Sequence, residues 1–233
     1  MRQFAALVAK EERAVFGSPI AYALIAVFLV LMGYVFTTVL FLNKVATLAH
    51  IFFQAAVLLL LIVPVITMRL VAEERRTGTL ELLLTAPVSE YSIVLAKFAA
   101  SMTVVAAMLG LSTSYALVLA IYGAPDWGPI YTGYLGLVLL GAALVASGLC
   151  VSSLAGNQLV AAVVALGLFL LLWIIDSLGY LLPAPLDTVA VNLSLLAHFT
   201  PFATGAMFLS DLGFFVSLTL LGLFLTVRAL GRR

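Results

Sequence analysis

Charge is what this sequence has least of. Eleven Lys and Arg and ten Asp and Glu amount to 9% of its 233 residues, against about 25% in an ordinary soluble domain. That scarcity excludes a solvated globule. With 65% hydrophobic residues and a mean hydropathy of +1.26, the chain reads as a polytopic helical membrane protein. A single cysteine, Cys150, excludes an intrachain disulfide. Histidine is nearly as scarce. His50 and His198 would hold a metal only with further ligands, and the plainer reading is two solvated interfacial side chains, so no metal is expected. No G-x-x-x-x-G-K-[ST] phosphate loop occurs, which leaves the chain without a recognisable nucleotide site of its own. Neither H-E-x-x-H nor G-x-S-x-G is present. Ser89, Ser92, Ser101, Ser112 and Ser114 have no base placed to activate them, so no catalytic residue is expected. A net charge of +1 points to no acidic partner, and nucleic acid is not expected as one.

What is present is a series of apolar runs separated by short polar breaks. Residues 2–16 put Phe4, Leu7, Val8 and Val15 near one side at helical spacing, with Lys10, Glu11, Glu12 and Arg13 mostly on the other. The pattern predicts an interfacial helix; the alternative is a frayed tail. Gly17-Ser18-Pro19 turns the chain. The first apolar run is too long for the core of a secretory signal and no small-residue cleavage site follows it, so it is expected to remain as a span. Spans are predicted at about 20–42, 48–67, 98–122, 130–154, 159–178 and 206–227. Pro64 removes a backbone hydrogen bond from the second and is expected to kink it. The fourth carries Gly133, Gly136, Gly141, Ala142, Ala146, Ser147 and Gly148, small residues that let a neighbouring helix approach closely. Asp176, near the end of the fifth, is an ionisable group in a span, read here as a solvated helix end. Residues 182–205 are too broken by proline for a full span and suit a short re-entrant pair covered by protein. Asp211 falls in the first turn of the sixth span, where an acidic group suits the helix dipole.

Orientation follows from the basic residues. With both termini cytoplasmic, only Lys44 of the eleven Lys and Arg faces outward, which fixes an even number of spans by the positive-inside rule.

The densest charge lies between spans two and three, from Arg69 to Lys97. Arg69, Glu73, Glu74, Arg75 and Arg76 come first, Thr77-Gly78-Thr79 breaks the run, and Leu80, Leu82, Leu83 and Leu84 then supply an apolar face around Glu81. A topology-setting basic loop explains the arginines but not the carboxylates, and those carboxylates would repel an anionic lipid surface. Docking into a soluble partner accounts for both signs and for the leucines.

The stretch Glu73-Glu-Arg-Arg-Thr-Gly-Thr-Leu-Glu-Leu-Leu-Leu-Thr-Ala-Pro-Val-Ser89, after the second of six spans, resembles the permease subunits of ABC-2 type transporters, in particular the GldF/NosY-like group. Phe16-Gly17-Ser18-Pro19-Ile20-Ala21-Tyr22 before span one, and His198-Phe199 through Gly205 to Asp211 and Phe214-Phe215, extend the resemblance over most of the chain. Gly213 stands where that group would carry a bulkier residue. The resemblance implies a single transmembrane domain over 1–233, with a cytoplasmic coupling helix at about 73–85 that seats in an ATPase subunit. It implies a connecting helix at 2–16, with Phe4, Leu7, Val8, Lys10, Glu11 and Arg13. Short outer re-entrant helices follow from it at 186–204, around His198, Phe199, Pro201, Phe202 and Gly205. Two permease copies, as a homodimer, would pair with two ATPase subunits in the cell inner membrane, alongside an accessory membrane protein with an extracytoplasmic domain. ATP and Mg would then bind the partner ATPase, with no cofactor in this chain, and the product would be export or force transmission. The alternative class is a self-contained secondary transporter or membrane scaffold, for which midplane charges or paired broken helices in two repeated halves would be expected; neither is apparent.

Overall fold

In a computed structural model the chain is described over residues 2–43, 48–79, 88–122, 125–179, 183 and 185–231. Its described regular structure is entirely helical: α1 (Arg2–Phe16), α2 (Pro19–Asn43), α3 (Ala49–Thr67), α4 (Ala72–Thr77), α5 (Glu90–Tyr122), α6 (Trp127–Leu154), α7 (Gln158–Gly179), α8 (Leu186–Leu193), α9 (Leu195–Thr204) and α10 (Leu209–Leu230). Six runs among these, built on α2, α3, α5, α6, α7 and α10, are long and apolar enough to cross a membrane.

α6 is the central post, packed against α3, α5, α7, α9 and α10. The small residues singled out in its sequence explain why. A β-carbon at Gly133 would overlap the Phe52 ring of α3, one at Gly136 would meet Phe202 of α9, and one at Gly148 would overlap Thr67. From the other side, Gly222 of α10 lies so close to α6 that its β-carbon would sit 2.8 Å from the Ala146 carbonyl carbon. In lipid, where burial of apolar surface supplies no drive between helices, such close backbone approach is what holds a bundle together. The main core gathers Phe28, Phe52, Met108, Leu140, Phe169, Phe199, Phe202 and Phe215 from seven helices. By contrast α2 and α7 leave long apolar faces uncovered, including Val30 and Tyr34 on the first and Leu159 and Val163 on the second.

Two helix starts differ from the sequence reading. α5 begins at Glu90 rather than near 98: Ser89 Oγ accepts from the Ser92 amide, Glu90 suits the first turn, and no breaker stands between it and Phe98. α10 begins at Leu209 rather than 206. α3 runs through Pro64 to Thr67, the proline lying one turn from the helix end. The re-entrant expectation maps onto α8 and α9, separated by Ser194, whose Oγ caps α9 by accepting from the Ala197 amide at 3.1 Å. The described part of the segment expected at 73–85 is the six-residue α4; Leu80, Glu81, Leu82, Leu83 and Leu84 lie outside the described residues.

Candidate functional site

The chain leaves α3 at a four-residue turn and enters α4 with Glu73 and Glu74 in its first turn and Arg75 and Arg76 in its last, the order that complements a helix dipole. Gly78 stops the helix in the left-handed region at φ 71°, a conformation that costs glycine nothing. The N-cap residue, Val71, has no side chain able to cap. Ser152, near the end of α6, does it instead. Its buried Oγ accepts from the amides of Val71 (3.3 Å) and Ala72 (3.2 Å) and donates to the Met68 carbonyl (3.3 Å). From the same helix end, Arg75 takes carbonyls that α6 cannot satisfy internally: its guanidinium donates to Ala155 O at 3.0 Å and to Ser153 O. α4 is thereby fastened at both of its ends to the terminus of the central helix.

A second attachment runs through charge. Lys97 of α5 is buried, and its ammonium lies 2.7 Å from Glu74 Oε1 and 3.1 Å from Glu11 Oε2. Lys10 adds a contact to Glu11 at 3.0 Å and a longer one to Glu74 at 3.7 Å. Two cations and two carboxylates thus balance where α1, α4 and α5 meet. Burial works to lower the Lys10 pKa, but the hydrogen bond and charge of Glu11, with those of Glu74, outweigh it and hold the ammonium above its usual range. Of the α1 residues, Leu7 packs with Ile93 and Ala96 of α5, and Val8 flanks them. Glu11 corrects the sequence reading: it was assigned to the polar side of α1, yet it stands four residues after Leu7, shares its face and is buried. Phe4 and Arg13 are exposed. Lys97, read as the end of a loop, is a buried helical residue for the reason that α5 starts early.

Between α1, α2, α3, α4 and α5 these groups line a cleft of about 480 Å³. One side is apolar (Val15, Leu24, Val65, Ile66) and the other carries Arg69, Glu73, Glu74 and Lys97. Arg76 and Thr77 at the end of α4, with Gly78 and Thr79 after it, are exposed.

The opposite end of the bundle holds the other group of expected residues together. His198 Nδ1 lies 2.8 Å from Asp211 Oδ1 and Nε2 lies 3.3 Å from the Asn192 carbonyl, while the ring stacks on Phe214 at 4.0 Å. His198 therefore ties α8, α9 and α10 together rather than standing solvated. Phe199 and Phe202 are fully buried, the first against Phe53 and Trp173, the second against Phe215. Thr132 Oγ1 donates to the Phe202 carbonyl at 2.9 Å, Pro201 lies within α9, and Gly205 ends that helix at φ 98°. His50 is exposed. No group of three or more His, Cys, Asp or Glu among the described residues is arranged to hold a metal. Asp176 is half-buried, and its Oδ1 is shut away from solvent with no hydrogen-bond partner among the described residues, unlike the solvated helix end expected for it. A Cβ at Gly213 would meet open space, so the missing bulk there leaves no hole.

Three residues were passed over in the sequence. Ser152 and Ser153 carried one signal, a serine pair at the end of an apolar run just before a turn. Asn192 contributes only its backbone and carried none.

Residues 43–221 match the family described as ABC-2 family transporter protein. The match covers α3 through most of α10, including α4, Lys97, Ser152, His198 and Asp211, and leaves α1 with Lys10 and Glu11 outside it. No curated protein matches the chain.

Proposed function

Because this chain belongs to the ABC-2 transporter family, as a multi-pass membrane permease, we propose that α4 and the residues after it are where a separate ATPase subunit drives it. The observation that carries this reading is the anchoring of α4. Ser152 and Arg75 tie it to α6, and Glu74 ties it to α5 and α1, while Arg76, Thr77 and Thr79 stay exposed. A displacement applied to α4 from outside is delivered to the central helix without slack. ATP and Mg bind the partner, and this chain performs no bond chemistry. The GldF/NosY-like motif 73–89, the single domain over 1–233 and the uncovered apolar faces of α2 and α7 favour a homodimer with two ATPases. With the charged end cytoplasmic, the product is export or force transmission to an accessory outer partner. Family membership favours this reading over the self-contained transporter or scaffold.

Glu74 and Arg75 are engaged inside the chain, so Arg76→Glu is the cleaner test. It is expected to abolish co-purification of the ATPase while leaving the thermal unfolding of the permease unchanged. Undiminished ATPase capture and transport-coupled hydrolysis in Arg76→Glu would sink the assignment.

A further inference from the structure

We propose that the cleft between α1, α2 and the charged corner is a binding site for a phospholipid with a primary-amine zwitterionic headgroup, that is, an ethanolamine phospholipid. The inference stands on the cleft itself and does not rest on the ATPase reading. At about 480 Å³ the cleft is of ligand-pocket size. Its apolar wall joins Val15 of α1 to Leu24 of α2 and to Val65 and Ile66 at the end of α3, where an acyl chain would lie.

The polar wall holds two unmet demands of opposite sign. The Arg69 guanidinium makes no hydrogen bond or ion pair among the described residues, and its Nε is shut away from solvent. Glu74 gives Oε1 to Lys97, but its Oε2 is likewise buried with no partner, and Glu73 beside it lines the same cleft. Unpaired buried groups of this kind are costly, charged ones most of all. Arg69 and Glu74 both line the cleft, which is where a ligand would reach them. A phosphate matches the planar guanidinium fork, and an ammonium carrying N–H donors matches the two carboxylates. A choline headgroup has no N–H to give Glu74 Oε2, and a glycerol headgroup brings no cation to place beside Glu73.

The test is native mass spectrometry of the full chain, purified in detergent, delipidated and offered equimolar ethanolamine, choline and glycerol phospholipids of identical acyl chains. The ethanolamine lipid should be retained at least tenfold over the other two, and Arg69→Gln and Glu73→Gln should each remove most of that preference while unfolding at the wild-type temperature. If either variant fails to fold, competition by free phosphoethanolamine decides on the wild type: it should displace the lipid only at concentrations far above it, since it lacks the chains. Equal retention of the three lipids, unchanged retention by both folded variants, or displacement by the free headgroup at lipid-like concentration would each overturn the proposal.

Discussion

Removing the ammonium of Lys97 would leave Glu11 and Glu74 with only Lys10, whose side chain is more than half exposed, as a nearby cation. Losing one partner of a buried charge cluster costs about 3–5 kcal/mol, so Lys97→Met is expected to lower stability by that order in denaturant unfolding of the detergent-solubilised protein. Adding Glu74→Gln should recover part of the loss, because it discharges one of the two stranded carboxylates. A Lys97→Met protein that unfolds like wild type would show the cluster to be incidental. Lys10 behaves differently because more than half of its side chain is exposed, and solvent screening limits it to about 1 kcal/mol or less. Its folded pKa is raised. Its contribution is therefore complete below the unfolded value of about 10.4 and is lost only as pH climbs through the higher folded one. The deficit of Lys10→Ala should accordingly stay constant from about pH 6 to 9. At this scale the sequence is least legible: Lys97 and Glu11 read as solvated charges because they lie 86 residues apart along the chain, and Glu74, the other carboxylate on Lys97, belongs to a different helix.

At the scale of elements, α4 is too short to be stable alone, since isolated helices below about 12 residues are marginal in water. It exists because α6 caps it. Ser152→Ala strips the shared acceptor from the Val71 and Ala72 amides, and a buried donor left unpaired costs about 1–3 kcal/mol. Hydrogen exchange across residues 71–77 should accelerate in that variant while the protection of α6 is retained; unchanged exchange would mean that Ser152 does not hold α4. The α6–α10 contact makes a second prediction. Gly222→Ala pushes a methyl against the Ala146 backbone, which has no side-chain torsion to relieve it, and overpacking of this kind costs about 1–3 kcal/mol, visible as a lower unfolding temperature. Helix existence was legible from apolar runs and the glycine stripe of α6 from its composition. The start of α5 was not, because a charged residue within a turn of an apolar run reads as its boundary.

For the whole molecule, six apolar segments of about 20 residues were enough to anticipate a six-span helical bundle with short broken helices before the last span, and α8 and α9 bear that out. What the sequence left unread is the way the two ends are tied: His198 to Asp211 at one, Glu74, Ser152 and Arg75 at the other. The first crosses between two helices and the second joins residues 80 apart in the chain, so no helical periodicity announces either. We propose the charged end, built on α4, as the place where a soluble ATPase takes hold.

The most direct test is site-specific cross-linking to the ATPase in membranes, after replacing the single native cysteine by Cys150→Ser. Cysteines introduced by Arg76→Cys and by Thr79→Cys should each cross-link to the ATPase, and one introduced by Leu209→Cys, at the exposed start of α10, should not. Cross-linking from Leu209→Cys with none from Arg76→Cys or Thr79→Cys would contradict the account.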